Sequence, residues 1–182
     1  MTGPRAAGCE PGESERLVAL QKTLYASRNP TRRYLHCARR DWVQAQIESL
    51  ALNSSVGTAL EVGPGSGVYL PDLAAVAERV IAFDIEPGFL RAVKDLLVQQ
   101  ALRTATDFVQ GDLMKSPLKA GSVDLLLCSE VIEHVTDSPA LLGALAAVLA
   151  PGGKLILTTP QPYSPVEILG KVAFLPGFLQ LL

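Results

Sequence analysis

This 182-residue sequence predicts a doubly wound α/β fold: a mostly parallel sheet with helices on both faces, preceded by N-terminal helices. Three observations carry that expectation. Short apolar runs of strand length alternate with segments of helical periodicity from residue 58 onward. Such alternation builds parallel strands joined by right-handed crossovers, with the sheet covered on both sides. A turn of almost no side chain, Gly63-Pro64-Gly65-Ser66-Gly67, follows the first run directly and feeds the next helix.

The elements follow in order. Residues 1–13, rich in Gly, Pro and Glu, read as a disordered tail. Residues 14–55 hold two helices. The first, from Ser14 to about Ser27, repeats Leu17, Leu20 and Leu24 at spacings of three and four and breaks at Pro30. The second runs from about Arg32 to Leu52, with Leu35, Trp42, Val43, Ile47 and Leu50 as its buried stripe. Residues 56–182 form the main domain. There "TALEV" is a strand, "YLPDLAAVAE" a helix, "RVIAFDI" a strand, and "PGFLRAVKDLLVQQ" a helix with Pro87 suited to its first turn. "TDFVQGD" and "SVDLLLCSE" are further strands. "SPALLGALAAVLA" is a helix ended by "PGG", and "KLILTTP" is the fifth strand.

Composition narrows the function. With 48% apolar and 19% charged residues the chain can fill a core. Residues 1–57 carry eight Lys/Arg against five Asp/Glu, and residues 58–182 carry eight against thirteen, so the body is acidic. That balance argues against a general nucleic-acid binder. Three cysteines (Cys9, Cys37, Cys128) without C-x-x-C spacing point to a reducing compartment and to no zinc site. No apolar signal core and no apolar run of about 20 residues is present, so a cytoplasmic location is expected.

In a doubly wound sheet, ligands bind beyond the carboxyl ends of the strands at the switch point. The segments 61–67, 84–86, 111–113 and 128–134 share that rim. The glycine loop reads G-x-G-x-G, and Val68 stands where a dinucleotide fingerprint places its third glycine. Glu61 just before it is unwelcoming to phosphate and favours a ligand with a cationic end. Asp84 can accept from both hydroxyls of a ribose, or cap the helix beginning at Pro87. Asp112 can accept from the exocyclic amine of a purine, or order a turn after Gly111. The ligand so described has a ribose, an adenine and a positive tail, and no phosphate. S-adenosylmethionine has that chemistry.

"LEVGPGSGVYL", "VIAFDIEPGFL", "FVQGDLMKSPL", "VDLLLCSEVIEHV" and "LAPGGKLILTTP" resemble, in order and spacing, the class I S-adenosylmethionine-dependent methyltransferases, and most of all their type 11 group. The resemblance covers about residues 56–160 and implies a Rossmann-like domain. It further implies that Glu61, Gly63, Gly65 and Gly67 wrap the methionine part of the cofactor. Asp84 would hold the ribose with Ile85 beside the adenine, Asp112 and Leu113 would contact the adenine, and Ser129 and Glu130 would lie near the sulfonium and the acceptor. The implied partner is a small-molecule methyl acceptor. A non-catalytic methyltransferase-like module and an NAD-dependent oxidoreductase are the other readings.

Methyl transfer places few demands on catalytic groups beyond alignment. If a helix starts at residue 130, Glu130 and His134 lie four apart on one face; they are the candidates for a general base, and a metal-ligand role, or simple ordering of the turn together with Glu133, are alternatives. His36 lies among Arg28, Arg32, Arg33, Arg39 and Arg40, a cluster that reads as a solvated face or as an acceptor-docking surface. Cys128 reads as a buried strand residue. After strand five, "QPYSPVEILGKVAFLPGFLQLL" lacks the hairpin of strands six and seven that the resemblance implies. We expect a C-terminally truncated sheet, or else an apolar tail acting as a lid or as a peripheral membrane or subunit contact.

Overall fold

The computed structural model describes residues 16, 19, 23–53, 55–99, 104–115 and 118–160. Its backbone elements are α1 (Pro30–Asn53), β1 (Val56–Val62), α2 (Leu70–Val76), β2 (Ala77–Asp84), α3 (Pro87–Gln99), β3 (Ala105–Gln110), β4 (Val123–Ser129), α4 (Ser138–Val148) and β5 (Leu149–Thr158). Single 3-10 turns at Leu113–Lys115 and Ile132–His134 follow β3 and β4. The five strands pair in parallel in the order β3-β2-β1-β4-β5. The chain therefore steps outward from β1 through β2 to β3, then returns to the other side of β1 for β4. The reversal falls between β1 and β4, which makes their carboxyl ends the switch point.

The two-residue period of each strand divides the core into two layers. In β4, Leu125 and Leu127 pack with Val43 and Ile47 of α1, Leu73 of α2 and Val93 of α3. Leu126 and Cys128 point the other way, against Leu141 and Leu145 of α4. The alternating elements of the sequence thus become the doubly wound arrangement expected of them. Cys128 is fully buried among apolar side chains, and burial, followed by the nearby Glu133 charge, pushes its thiol up to about 12.

Helix α1 begins at Pro30 itself. The proline ring fits the first helical turn, and Asn29 Oδ1 accepts from the Arg32 N–H at 3.0 Å. Asn29→Ala should therefore cost about 1 kcal/mol in thermal or urea unfolding. Of the apolar stripe expected on this helix, Val43 and Ile47 are fully buried and Leu50 packs on the core, but Trp42 is 51% exposed. At 100° per residue Trp42 lies a full step away from Val43, and the core-facing side is already filled by Val43 and Ile47.

Two boundaries also differ. The helix expected over "YLPDLAAVAE" ends at Val76, because Ala77 and Glu78 already extend into β2. The "PGG" segment ends no helix; it lies inside β5. Pro151 can donate no ladder bond, and the pairing of β5 with β4 skips from Val123↔Leu149 to Leu125↔Lys154 across it. Of the helix expected over residues 14–27, the described residues 16, 19 and 23–25 are helical, while 26 and 27 are not. The expectations for residues 1–13 and for the sheet beyond strand five, residues 161–182, lie outside the described residues. Among the described residues no helix is long and apolar enough to cross a membrane.

Candidate functional site

At the carboxyl end of β1 the chain turns through Gly63 and Gly65 at φ values of 67° and 51°, with Gly67 at 69°. These left-handed conformations favour glycine. Space favours it too: a Cβ on Gly63 would stand 2.5 Å from Val131 Cγ2, and one on Gly67 would stand 2.6 Å from Val93 Cγ1. The loop is locked by the Gly63 N–H donating to the Phe83 carbonyl at 2.8 Å and the Gly67 N–H donating to the Pro64 carbonyl at 2.7 Å.

Two adjoining cavities meet at Gly63. The first, of about 180 Å³, is floored by Glu61, Gly65 and Ser66, walled by Tyr69, Ser129 and Glu130, and roofed by Leu24, Tyr25, His36 and Arg39. The second, of about 140 Å³, is more apolar and lies between Asp84 and Ile85 after β2 and Asp112 and Leu113 after β3. Met114 and Val131 close it. Of the rim residues expected from the sequence, Glu61, Gly63, Gly65, Ser129 and Glu130 line the first cavity and Asp84, Ile85, Asp112 and Leu113 the second, while Gly67 lines neither; the two cavities, sharing Gly63, make a groove with a polar end and an apolar end.

Glu61 is the unusual group at the polar end. It is 2% exposed, and its Oε2 has no hydrogen-bond partner. Burial, with the nearby Asp72 charge adding to it, holds its carboxyl well above the ordinary glutamate range. A cationic group in the cavity would relieve that cost.

Asp84 Oδ1 accepts from the Glu86 N–H at 2.9 Å, which orders the turn into α3. Burial raises its carboxyl, opposed chiefly by that backbone bond. Asp112 Oδ1 accepts from the Met114 N–H at 3.0 Å, and its Oδ2 pairs with Lys115 Nζ at 3.3 Å. Asp112 thus orders the turn that the sequence allowed for, whereas Asp84 orders the turn before the helix and leaves the capping contact to Glu86, whose Oε1 accepts from the Gly88 N–H at 3.3 Å; both aspartates also line the second cavity. Ile85, 69% exposed, edges it from outside, and Leu113 is buried in its wall.

The rim after β4 is strained and pinned. Glu130 has φ 57°, the single non-glycine residue of positive φ among the described residues. Its N–H donates to the Thr158 carbonyl at 3.0 Å, and Ser129 Oγ shares a hydrogen bond of 2.8 Å with Thr158 Oγ1. Glu130 Oε2 pairs with Arg39 Nη1 at 2.8 Å, while Oε1 is buried without a partner. Burial raises this carboxyl, and Arg39 opposes the rise. His134, the other candidate, sits exposed on its 3-10 turn and lines neither cavity. No helix starts at Glu130, so the two do not share a helical face. Among the described residues no three His, Cys, Asp or Glu side chains group as a metal site.

The roof is what the sequence concealed. Tyr25 and Tyr69 line the same cavity as Ser129. The Tyr25 ring stacks edge-on with His36 at 6.2 Å and lies under the Arg40 guanidinium at 5.5 Å. Burial, then Arg39 and Arg32, holds the His36 imidazole below its usual value, so it is neutral above the ordinary histidine range. Arg39 belonged to a cluster that also reads as a solvated face; here it reaches Glu130. Tyr25 precedes the glycine loop by more than thirty residues, and no local pattern marks it. Tyr69 follows the loop directly, and proximity was its one signal.

A family model described as "Methyltransferase domain" matches residues 60–157. Over 128 residues the chain is 35% identical to the biotin biosynthesis bifunctional protein of Cellvibrio japonicus, covering 70% of this chain and 23% of that protein. It is 27% identical over 161 residues to the ubiquinone biosynthesis O-methyltransferase of Xanthomonas axonopodis pv. citri, covering 87% of this chain and 64% of that one. The chain thus spans less than two thirds of the length of these two relatives. Among solved structures, the fold is similar to that of the N-methyltransferase NodS of Bradyrhizobium japonicum in complex with S-adenosyl-L-homocysteine. The TM-score is 0.60 at 21% identity, covering 80% of this chain and 70% of that chain.

Proposed function

The chain belongs to the class I S-adenosylmethionine-dependent methyltransferase family, and from that premise we propose that it binds S-adenosylmethionine along the groove and transfers its methyl group to a small-molecule acceptor. The observation that carries this reading is Glu61, whose buried and unpartnered Oε2 stands beside the polar cavity in a loop of left-handed glycines. A phosphate-bearing dinucleotide would meet that carboxylate at the wrong end, whereas the ammonium of a methionine tail would be welcomed by it.

The residues fit the nucleoside in other respects. Gly63 and Gly65, which line the polar cavity, leave backbone open to close approach. In the second cavity Ile85, Leu113, Met114 and Val131 form a slot suited to a flat purine. Asp84 lines the second cavity together with Gly63, the residue common to both cavities, where a ribose joining the two ends of the ligand would lie. When bound, the cofactor supplies a methyl group already activated by a positively charged sulfur. Ser129 and Glu130 edge the polar cavity at that junction, and Tyr25, Leu24 and Arg39 exclude water from it. The small-molecule class of the acceptor is supported by the names of the relatives, one an O-methyltransferase of ubiquinone biosynthesis and one a protein of biotin biosynthesis.

Calorimetry with S-adenosylmethionine, S-adenosylhomocysteine and NAD tests the reading. Binding of the first two and not the third is the expected result. Asp84→Ala should weaken that binding by roughly 1–3 kcal/mol through loss of the ribose contact. Binding of NAD alone would overturn the cofactor, and unchanged affinity in Asp84→Ala would remove the ribose role. Transfer of a labelled methyl group to small molecules of a lysate tests the reaction.

A further inference from the structure

Among the described residues, two buried side-chain polar atoms have no hydrogen-bond partner: Glu61 Oε2 and Glu130 Oε1. Both are carboxylate oxygens, and both residues line the polar cavity. A buried acceptor without a donor carries the full cost of its lost hydration, so the two mark places that a ligand completes. Their charge surroundings differ. Among the described residues Glu61 is in no ion pair, which matches it to the cationic tail of the cofactor. Glu130 already holds the Arg39 guanidinium on its other oxygen at 2.8 Å, so a second cation gains little there. Oε1 of Glu130 lacks a donor, not a charge.

The carboxyl is held from two sides. Glu130 has the left-handed φ of 57°, and such strain in a non-glycine residue persists only where the surroundings impose it. Its N–H donates to the Thr158 carbonyl at 3.0 Å, and Arg39 ties its carboxyl to α1. Arg39 also favours the ionised form against the effect of burial. The same cavity is roofed by Leu24 and by the Tyr25 ring, an apolar surface.

We propose that Glu130 selects the methyl acceptor, its Oε1 accepting a hydrogen bond from a neutral hydroxyl group on an apolar body that lies against Leu24 and Tyr25. This rests on the cofactor reading above for what occupies the Glu61 side of the cavity. The hydrogen-bonding inventory of the possible head groups favours the hydroxyl. It has one donor for Oε1 and keeps lone pairs on the same oxygen for the methyl. An ammonium has donors but no lone pair, and it would share its carboxylate with Arg39. A carboxylate has no donor and would face a like charge.

NMR titrations with benzyl alcohol, benzoate and benzylamine read this preference directly, since the three share a ring and differ in head group. They are run on the full chain with and without saturating S-adenosylhomocysteine. The loaded chain should bind the alcohol about tenfold more tightly than either charged probe. Glu130→Gln keeps the length of the side chain, removes its charge and leaves Arg39 without a counter-ion. It should lose about tenfold for the alcohol and gain about tenfold for benzoate, which reverses their order. A variant that had merely lost its fold would gain nothing. Arg39→Met frees the same carboxylate from its guanidinium and should keep the alcohol ahead of benzoate. The proposal is overturned if the wild type does not bind the alcohol or binds benzoate as tightly. It is also overturned if either variant departs from these orders. Failure of S-adenosylhomocysteine to bind would overturn the cofactor reading alone, and the same probes titrated into the free chain and its Glu130→Gln variant then decide the acceptor class.

Discussion

Gly63→Ala should lower the stability of the chain by about 2–5 kcal/mol and remove measurable S-adenosylmethionine binding. Two costs add at this position. The left-handed backbone, at φ 67°, costs an L-residue roughly 1–2 kcal/mol. The new methyl would also stand 2.5 Å from Val131 Cγ2. That methyl belongs to a β-branched side chain, stiff at χ1, so it cannot swing aside cheaply, and overpacking of this kind costs about 1–3 kcal/mol. Relief must come from movement of the loop or of residue 131, and both belong to the groove. Gly121 supplies the control. It has φ 64°, but an added Cβ meets nothing within 4 Å, and it lies in the turn before β4, at the opposite end of that strand from the groove. Gly121→Ala should carry the backbone cost alone, about 1–2 kcal/mol, and bind cofactor as the wild type does. Scanning calorimetry paired with titration of the cofactor distinguishes them. Equal effects of the two substitutions on both quantities would show that the close approach of Val131 to the loop has no consequence.

Glu61→Gln should leave a more stable free protein that binds the cofactor poorly, and both effects should depend on pH. Burial raises the Glu61 carboxyl in the folded chain, so that chain holds its proton more tightly than the unfolded one. Its contribution to stability is therefore complete below the ordinary glutamate value of about 4.3 and is lost as pH rises toward the raised folded value. The variant lacks this loss. It should match the wild type at low pH and exceed it near neutrality by about 1–3 kcal/mol. Cofactor binding runs the other way. A cationic tail favours the ionised carboxylate, so wild-type affinity should climb with pH through the raised value, with release of a proton. In Glu61→Gln that climb should vanish, with affinity about 1.5–3 kcal/mol lower at neutral pH. Calorimetry in buffers of different ionisation enthalpy counts the proton. A wild-type chain that binds without releasing one, at an affinity flat across this window, would sink the role given to Glu61.

Much of the groove could be read from local sequence. Asp84, Ile85, Asp112 and Leu113 come directly at or after strand ends, and a parallel sheet carries all strand ends to one rim whatever the loops between them do. The glycines at 63, 65 and 67 were equally legible, because positive φ and close approach leave a compositional mark. Trp42 was not. A large aromatic at helical spacing beside Val43 and Ile47 looks like core, and only the packing of α1 on α2 and β5 decides which side of the helix faces inward. His134 was misleading for a related reason. The i, i+4 relation to Glu130 exists only on a helix, and the left-handed turn at Glu130 followed by a 3-10 turn removes it.

By itself, the sequence determined the alternation of strands and helices, the rim on which the acidic residues stand, and the loop where side chains had to be cleared away. These are consequences of short-range periodicity and backbone conformation, which a chain carries wherever it is placed. The tertiary structure alone decided that Tyr25, His36 and Arg39 close the groove from above and that Glu130 is held by Arg39. It alone left an apolar face of α1 open to solvent. Such contacts join residues far apart in the chain, and their energies depend on how whole elements pack, which no local pattern encodes.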